Sequence, residues 1–190
     1  LSAMNKIAAL IAIYPRWIAL VAGGVSATGF APLNLWPLTL LCLALLMHLV
    51  ASADMGKRAF MLGWLFGIGH FSVGNNWIAT AFTYQAAMPA WLGWIAVVLL
   101  ALYLAVYPAL AGWGAWWIKS FACSNTFRHP REGGNDENGG NGNGLSFILA
   151  FAGLWIIAEW LRSWVFTGFS WNPLGILAIG EFASPAIYIG

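Results

Sequence analysis

Residues 91–117 read WLGWIAVVLLALYLAVYPALAGWGAWW, an apolar run with aromatic rings at both ends. A membrane-spanning helix needs about 20 mainly apolar residues, and tryptophan favours the headgroup region at either face. This run is longer than one crossing requires. Tilt or a kink takes up such excess, and Pro108 is where the kink is expected.

The rest of the chain is suited to the same solvent. Of 190 residues, 61% are hydrophobic and 7% charged, against about 25% charged in soluble domains. Mean hydropathy is +0.77. The net charge of +2 is small, and the basic residues sit at the ends of apolar runs, so nucleic-acid binding is excluded. Cys42 and Cys123 belong to no CxxC pair and to no His/Cys cluster. No disulfide, metal or cofactor is therefore expected, and Cys42 reads as a small buried hydrophobe.

Five apolar stretches are expected to be spans, over residues 7–27, 38–50, 59–71, 91–117 and 145–164. The first is interrupted by Tyr14, Pro15 and Arg16, which favours a kinked span; a cleaved signal peptide is the rival reading. Between the first two spans, SATGFAPLNLWPL (26–38) is expected to form an interfacial turn. In the third, Gly63, Gly67 and Gly69 allow close helix approach, which marks that helix as central. It runs on into a polar segment with His70, Asn75, Asn76, Thr80, Thr83, Tyr84 and Gln85. This is either an interfacial loop or the wall of a polar cavity.

The fold class that follows is all-α, a polytopic transmembrane helix bundle of about five spans plus the start of a further one. Three regions are expected. Residues 1–118 hold spans one to four, and 119–144 form a disordered Gly/Asn-rich loop in which His129 is simply solvated. Residues 145–190 hold the fifth span, a loop and the beginning of another membrane segment. The absence of an initiator methionine and the apolar SPAIYIG ending suggest a fragment of a longer protein.

Basic residues orient the spans. Lys6, then Lys57 and Arg58, then Lys119, Arg128 and Arg131 all fall on one side of a five-span arrangement. The positive-inside rule makes that side cytoplasmic, amino terminus included. The turn at Phe30, the segment around Asn76 and the stretch 162–172 then share the opposite face.

On that face lies EWLRSWVFTGFSWNPLG, residues 159–175. On a helix Trp155, Glu159 and Arg162 share one face, and Trp160 and Trp164 another. Ionisable residues in a span cost about 2.5–3.5 kcal/mol at its centre on insertion scales, so each needs a partner. Either Glu159 and Arg162 neutralise each other and tie helices together, or Arg162 meets an anionic lipid headgroup while Glu159 steadies it. The loop beyond is either an aromatic belt or a lipid-facing lip.

GFAPLNLWPL, GHFSVGNNWI and EWLRSWVFTGFSWNPLG, in this order, resemble the membrane portion of apolipoprotein N-acyltransferases over nearly the whole chain. The last motif is the most specific. The resemblance implies a bacterial inner-membrane acyltransferase of lipoprotein biosynthesis with a phospholipid acyl donor, a cysteine thioester, and transfer to the N-terminal S-diacylglyceryl cysteine of an apolipoprotein. Its partners would be membrane lipids and that diacylated lipoprotein precursor. Family catalysis belongs to a downstream nitrilase-like domain with Glu, Lys and Cys, so no residue here is assigned as catalytic and the fragment alone is expected to be inactive. Residues matching the membrane-domain motifs are Asn76, Trp77, Glu159, Arg162, Thr167, Gly168, Phe169 and Trp171, expected to shape lipid access on the periplasmic face. Ser170 stands where the family commonly has proline. The alternative is a non-enzymatic membrane module or transporter gated by the Glu159 and Arg162 pair, although no internal repeat of the transporter kind is evident.

Overall fold

A computed structural model describes residues 3–30, 33–84, 89, 91–128, 139–165 and 173–175. Among these, the regular structure is helical throughout: α1 (Ala3–Ile13), α2 (Pro15–Ser26), a 3₁₀ turn (Ala27–Gly29), α3 (Trp36–Ala51), α4 (Gly56–Gly74), α5 (Trp77–Thr83), α6 (Trp91–Leu104), α7 (Val106–Arg128) and α8 (Gly139–Val165).

Proline sets two of the joints. Tyr14 separates α1 from α2, with Pro15 as the first residue of the new helix, where its missing N–H is not needed. Pro108 leaves the Leu104 carbonyl without its helical donor, and the break falls at Ala105, bridged by Ala105 N–H to Ala101 O (2.9 Å) and Ala109 N–H to Ala105 O (3.2 Å). The expected kink in the long run is thus present. The turn expected over 26–38 closes on Asn34, whose φ of 51° is left-handed, a conformation asparagine tolerates.

Side-chain contacts fix the helix directions. Ala19 clusters with Leu62, and Ser26 reaches His70, so α2 and α4 run parallel. Phe66 meets Trp155 and Phe71 meets Arg162, so α8 runs parallel to both. The α3 helix is antiparallel to α2, stitched by Thr39 Oγ1 donating to Ser26 O at 2.6 Å. The α6–α7 rod is antiparallel to α4: Leu104 packs on Phe71 near one end, and Trp113 approaches Gly56 near the other. Among the described residues, five rods with alternating sense result, counting α1–α2 and α6–α7 as one each and setting aside the short α5.

Helix α4 is central, as its glycines led one to expect, and packs against α2, α3, α6 and α7. A Cβ on Gly63 would lie 2.6 Å from the Pro108 carbonyl oxygen, and one on Gly67 would lie 2.7 Å from Ala105 Cα. Only glycine admits the kinked joint of α6–α7 that close. The core around Leu46, Val50, Phe66, Ala111 and Phe151 is apolar, and Cys42 is buried in it as a free thiol.

The outside is apolar too. Trp17, Leu41, Leu99, Trp117 and Ile156 stand exposed on α2, α3, α6, α7 and α8, an extent of bare hydrocarbon suited to lipid and uncommon on soluble monomers. Residues 91–122 and 144–165 are each long and apolar enough to cross a membrane, and Trp36–Ala51 is a shorter apolar helix.

Two boundaries differ from expectation. The segment read as one polar stretch is divided: His70 to Gly74 complete α4, Asn75 and Asn76 turn, and α5 follows. The expected loop over 119–144 is narrower, because α7 reaches Arg128 and α8 starts at Gly139. Lys119 and Ser120 hold the first part, Lys119 Nζ donating to Ala51 O at 2.6 Å and Ser120 Oγ to Trp116 O at 2.9 Å. Residues 129–138, His129 included, lie outside the described residues.

Candidate functional site

The two ends of the bundle differ in chemistry. At one end, Arg58 donates to Asp54 at 2.9 Å, Trp116 Nε1 donates to Ala53 O at 2.8 Å, and Lys119 reaches Ala51 O. Basic residues that are far apart in sequence therefore meet at a single end. Arg58 holds the Asp54 carboxyl below the usual carboxylate range by its hydrogen bond.

The opposite end is reached by the C-termini of the parallel helices α2, α4 and α8. Here Ser26, His70, Asn75 and Arg162 are all buried. The Ser26 hydroxyl donates its single hydrogen to Gly23 O at 2.6 Å, so His70 Nδ1, 2.7 Å away, carries the proton that bonds Ser26 Oγ. Rings enclose the imidazole: Phe30 and Phe71 edge-on at 5.5 and 5.1 Å, and Phe66 stacked at 6.3 Å.

On α8 the face expected from helical spacing is buried at Trp155 and Arg162, with Glu159 half-buried between them. Phe147, Phe151, Trp155, Ala158 and Arg162 are buried, whereas Trp160 and Trp164 are exposed. Trp155 Nε1 donates to Glu159 Oε1 at 2.9 Å, and the Leu174 backbone N–H donates to the same oxygen at 2.9 Å. Glu159 therefore fastens an aromatic ring of its own helix and the chain that returns after it.

Arg162 does not join Glu159 in an ion pair; among the described residues the salt bridge is Arg58 to Asp54. Arg162 turns inward, its Cζ 4.9 Å from the centroid of Phe71, and its Nε and one terminal nitrogen, Nη2, are buried without an acceptor. Asn75, one turn beyond Phe71 on α4, has an Nδ2 in the same condition.

Of the residues expected to form the lipid face, Asn76 and Trp77 follow Asn75 at this end and are exposed, while Glu159 and Arg162 are placed as described. Thr167, Gly168, Phe169 and Trp171 lie outside the described residues. The buried Ser26 was not singled out from the sequence, whereas His70 and Asn75 belong to the segment read from it as either an interfacial loop or the wall of a polar cavity, and both are buried. The available signal was the spacing of His70 and Asn75 along the inner face of a helix whose other inner residues are apolar or glycine.

Comparison with known proteins agrees with the family motif. Residues 22–188 match the model of the apolipoprotein N-acyltransferase N-terminal domain. The chain is 37% identical over 163 residues to the apolipoprotein N-acyltransferase of Chromobacterium violaceum, covering 86% of this chain and 27% of the relative. It is 34% identical over 156 residues to that of Vibrio cholerae, with 80% and 26% covered. For Rhodopseudomonas palustris the identity is 31% over 217 residues, with 98% and 36% covered. The chain thus spans between 26% and 36% of the length of these relatives.

Proposed function

Because this chain belongs to the apolipoprotein N-acyltransferase family, matching its N-terminal domain, we propose that it is the membrane half of an enzyme that moves an acyl chain from phospholipid to the N-terminal S-diacylglyceryl cysteine of apolipoproteins. It works in the bacterial cytoplasmic membrane, crosses it about five times, and keeps its amino terminus and basic end in the cytoplasm. The polar end faces the periplasm, where Asn76, Trp77, Glu159, Arg162 and, further along the chain, Thr167, Gly168, Phe169 and Trp171 shape lipid access and seat the catalytic domain.

The observation that carries this reading is the separation of the two ends. Lys119 and Arg58 meet at one, and the ends of α2, α4 and α8 bring Ser26, His70, Asn75 and Arg162 together at the other. That polarity is what the positive-inside rule requires of a bundle with one working face. A gate built on a Glu159 and Arg162 ion pair has no such support, since the two do not pair directly.

The chemistry itself is assigned elsewhere. Cys42 is buried within the bundle, out of reach of an acyl ester at the membrane surface, and these 190 residues by themselves carry no acyl transfer. Two measurements test the reading. A reporter fused after Gly140 reads cytoplasmic and one after Asn172 reads periplasmic; the reverse result removes the shared outer face. In liposomes with phospholipid and a diacylated lipopeptide, turnover by this chain that is lost on substituting Cys42 or Cys123 overturns the division of labour.

A further inference from the structure

The Arg162 guanidinium is the most demanding group in the bundle. It is 3% exposed, and its Nε and Nη2 have no acceptor, although each N–H buried without one is costly. Glu159 is the carboxylate on its helix, but it forms no ion pair with Arg162, and its Oε1 accepts from Trp155 and Leu174. The face of Phe71 receives the cation at 4.9 Å and satisfies none of its hydrogen bonds. Asn75 caps the end of α4, its backbone N–H donating to Phe71 O at 3.0 Å; it is 1% exposed and holds a second orphaned donor, Nδ2.

Three buried donors on two parallel helices, one of them charged, require an acceptor with more than one oxygen and a negative charge. Nε and a terminal nitrogen of one guanidinium form the fork that binds two oxygens of one phosphate. An aromatic face behind the fork keeps it from turning away. The setting selects the kind of phosphate: Arg162 itself is buried, and the outer face of the same helix presents exposed apolar side chains, Trp160 and Trp164 among them, so an oxyanion that arrives attached to acyl chains suits this bundle better than a fully hydrated one.

We propose that Arg162 and Asn75 form a phosphodiester site in the outer half of the bundle, in which Arg162 grips two non-ester oxygens of a phospholipid and Asn75 Nδ2 donates to the same group. The proposal rests on the family reading above and goes further by naming the group held, the two residues that hold it and the atoms they use. Glu159 is a positioning residue that keeps the end of α8 and the returning chain in place around the site. Neither residue takes part in bond making.

The full chain in a neutral detergent tests this by thermal stabilisation during titration with short-chain phosphatidylglycerol, phosphatidylethanolamine, diacylglycerol or inorganic phosphate. Both phospholipids stabilise the wild type, and diacylglycerol, which lacks the phosphate, does not. Arg162→Gln weakens phospholipid binding by about tenfold or more, as loss of a charge-assisted fork requires, and Asn75→Ala by a few fold. Arg162→Lys keeps the charge but loses the fork and falls between. Should Arg162→Gln fail to fold, Arg162→Lys and Asn75→Ala still decide the matter. Equal binding by wild type and these variants overturns the site. Stabilisation by inorganic phosphate at the concentrations that suffice for lipid overturns the lipid as its ligand. The topology reporters are indifferent to these substitutions, so failure of the site and failure of the family reading are distinguishable.

Discussion

Trp155 and Glu159, one turn apart on α8, share a hydrogen bond of 2.9 Å, and the carboxylate oxygen that accepts it also accepts the Leu174 amide. A buried face of α8 and a backbone segment beyond its end are thereby held by one atom. Glu159→Ala leaves an indole N–H and an amide N–H unpaired and costs about 1–3 kcal/mol. Glu159→Gln retains an acceptor and costs less. Melting of the detergent-solubilised protein, followed by Trp emission, ranks the three proteins in that order.

The joint between α6 and α7 depends on two glycines of α4. Gly63→Val drives a side chain against the Pro108 carbonyl, where even a Cβ would sit at 2.6 Å, and overpacking of this kind costs about 1–3 kcal/mol or more. Gly153, by contrast, has nothing within 4 Å of an added Cβ. Gly153→Ala is therefore neutral or stabilising by up to about 1 kcal/mol through helix propensity. Paired melting curves for the two variants check the contrast.

Ser26 is the acceptor for the enclosed His70 ring, at 2.7 Å. Ser26→Ala strands the Nδ1 proton among Phe30, Phe66 and Phe71 and destabilises by about 1–3 kcal/mol. The added change His70→Phe removes the stranded donor, so the double variant loses less than the sum of the two single ones. A double-mutant cycle on melting free energies measures this.

Asp54 sits in the short connection before α4, with Arg58 lowering its pKa from the ordinary 3.8 through a hydrogen bond. A depressed folded-state pKa contributes stability that is present above the unfolded value, about 3.9. That contribution is lost as pH falls through the lower folded-state value. An NMR titration of Asp54 therefore has its midpoint below 3.8, and Asp54→Asn flattens the dependence of melting temperature on pH in the acid range. The pair is exposed, so the effect is small.

Much of this arrangement was legible in the chain. Hydropathy placed the long helices, Pro15 and Pro108 marked their joints, and the glycines at 63 and 67 identified the helix that others approach closely. Spacing alone separated the inner face of α8, with Trp155 and Arg162, from the outer one, with Trp160 and Trp164. Pairings over distance were not legible. Glu159 has its partner in a backbone amide fifteen residues away, and His70 has its own forty-four residues away. The nearby Arg162 was the obvious partner for Glu159 only as long as helical spacing was the sole guide. Asn75 fell in a segment read as either an interfacial loop or a cavity wall because it adjoins Asn76 and Trp77, and the turn that closes α4 buries it.

The central position of α4 also orders events in time. The chain emerges from the ribosome amino terminus first, so α2 and α3 are complete while their glycine-lined and polar faces are unmatched, and they wait for the third rod. Until α4 arrives, Ser26 has no imidazole, and until α8 arrives, Phe66 and Phe71 lack Trp155 and Arg162. A nascent chain stalled before residue 74 consequently holds these groups with their partners missing.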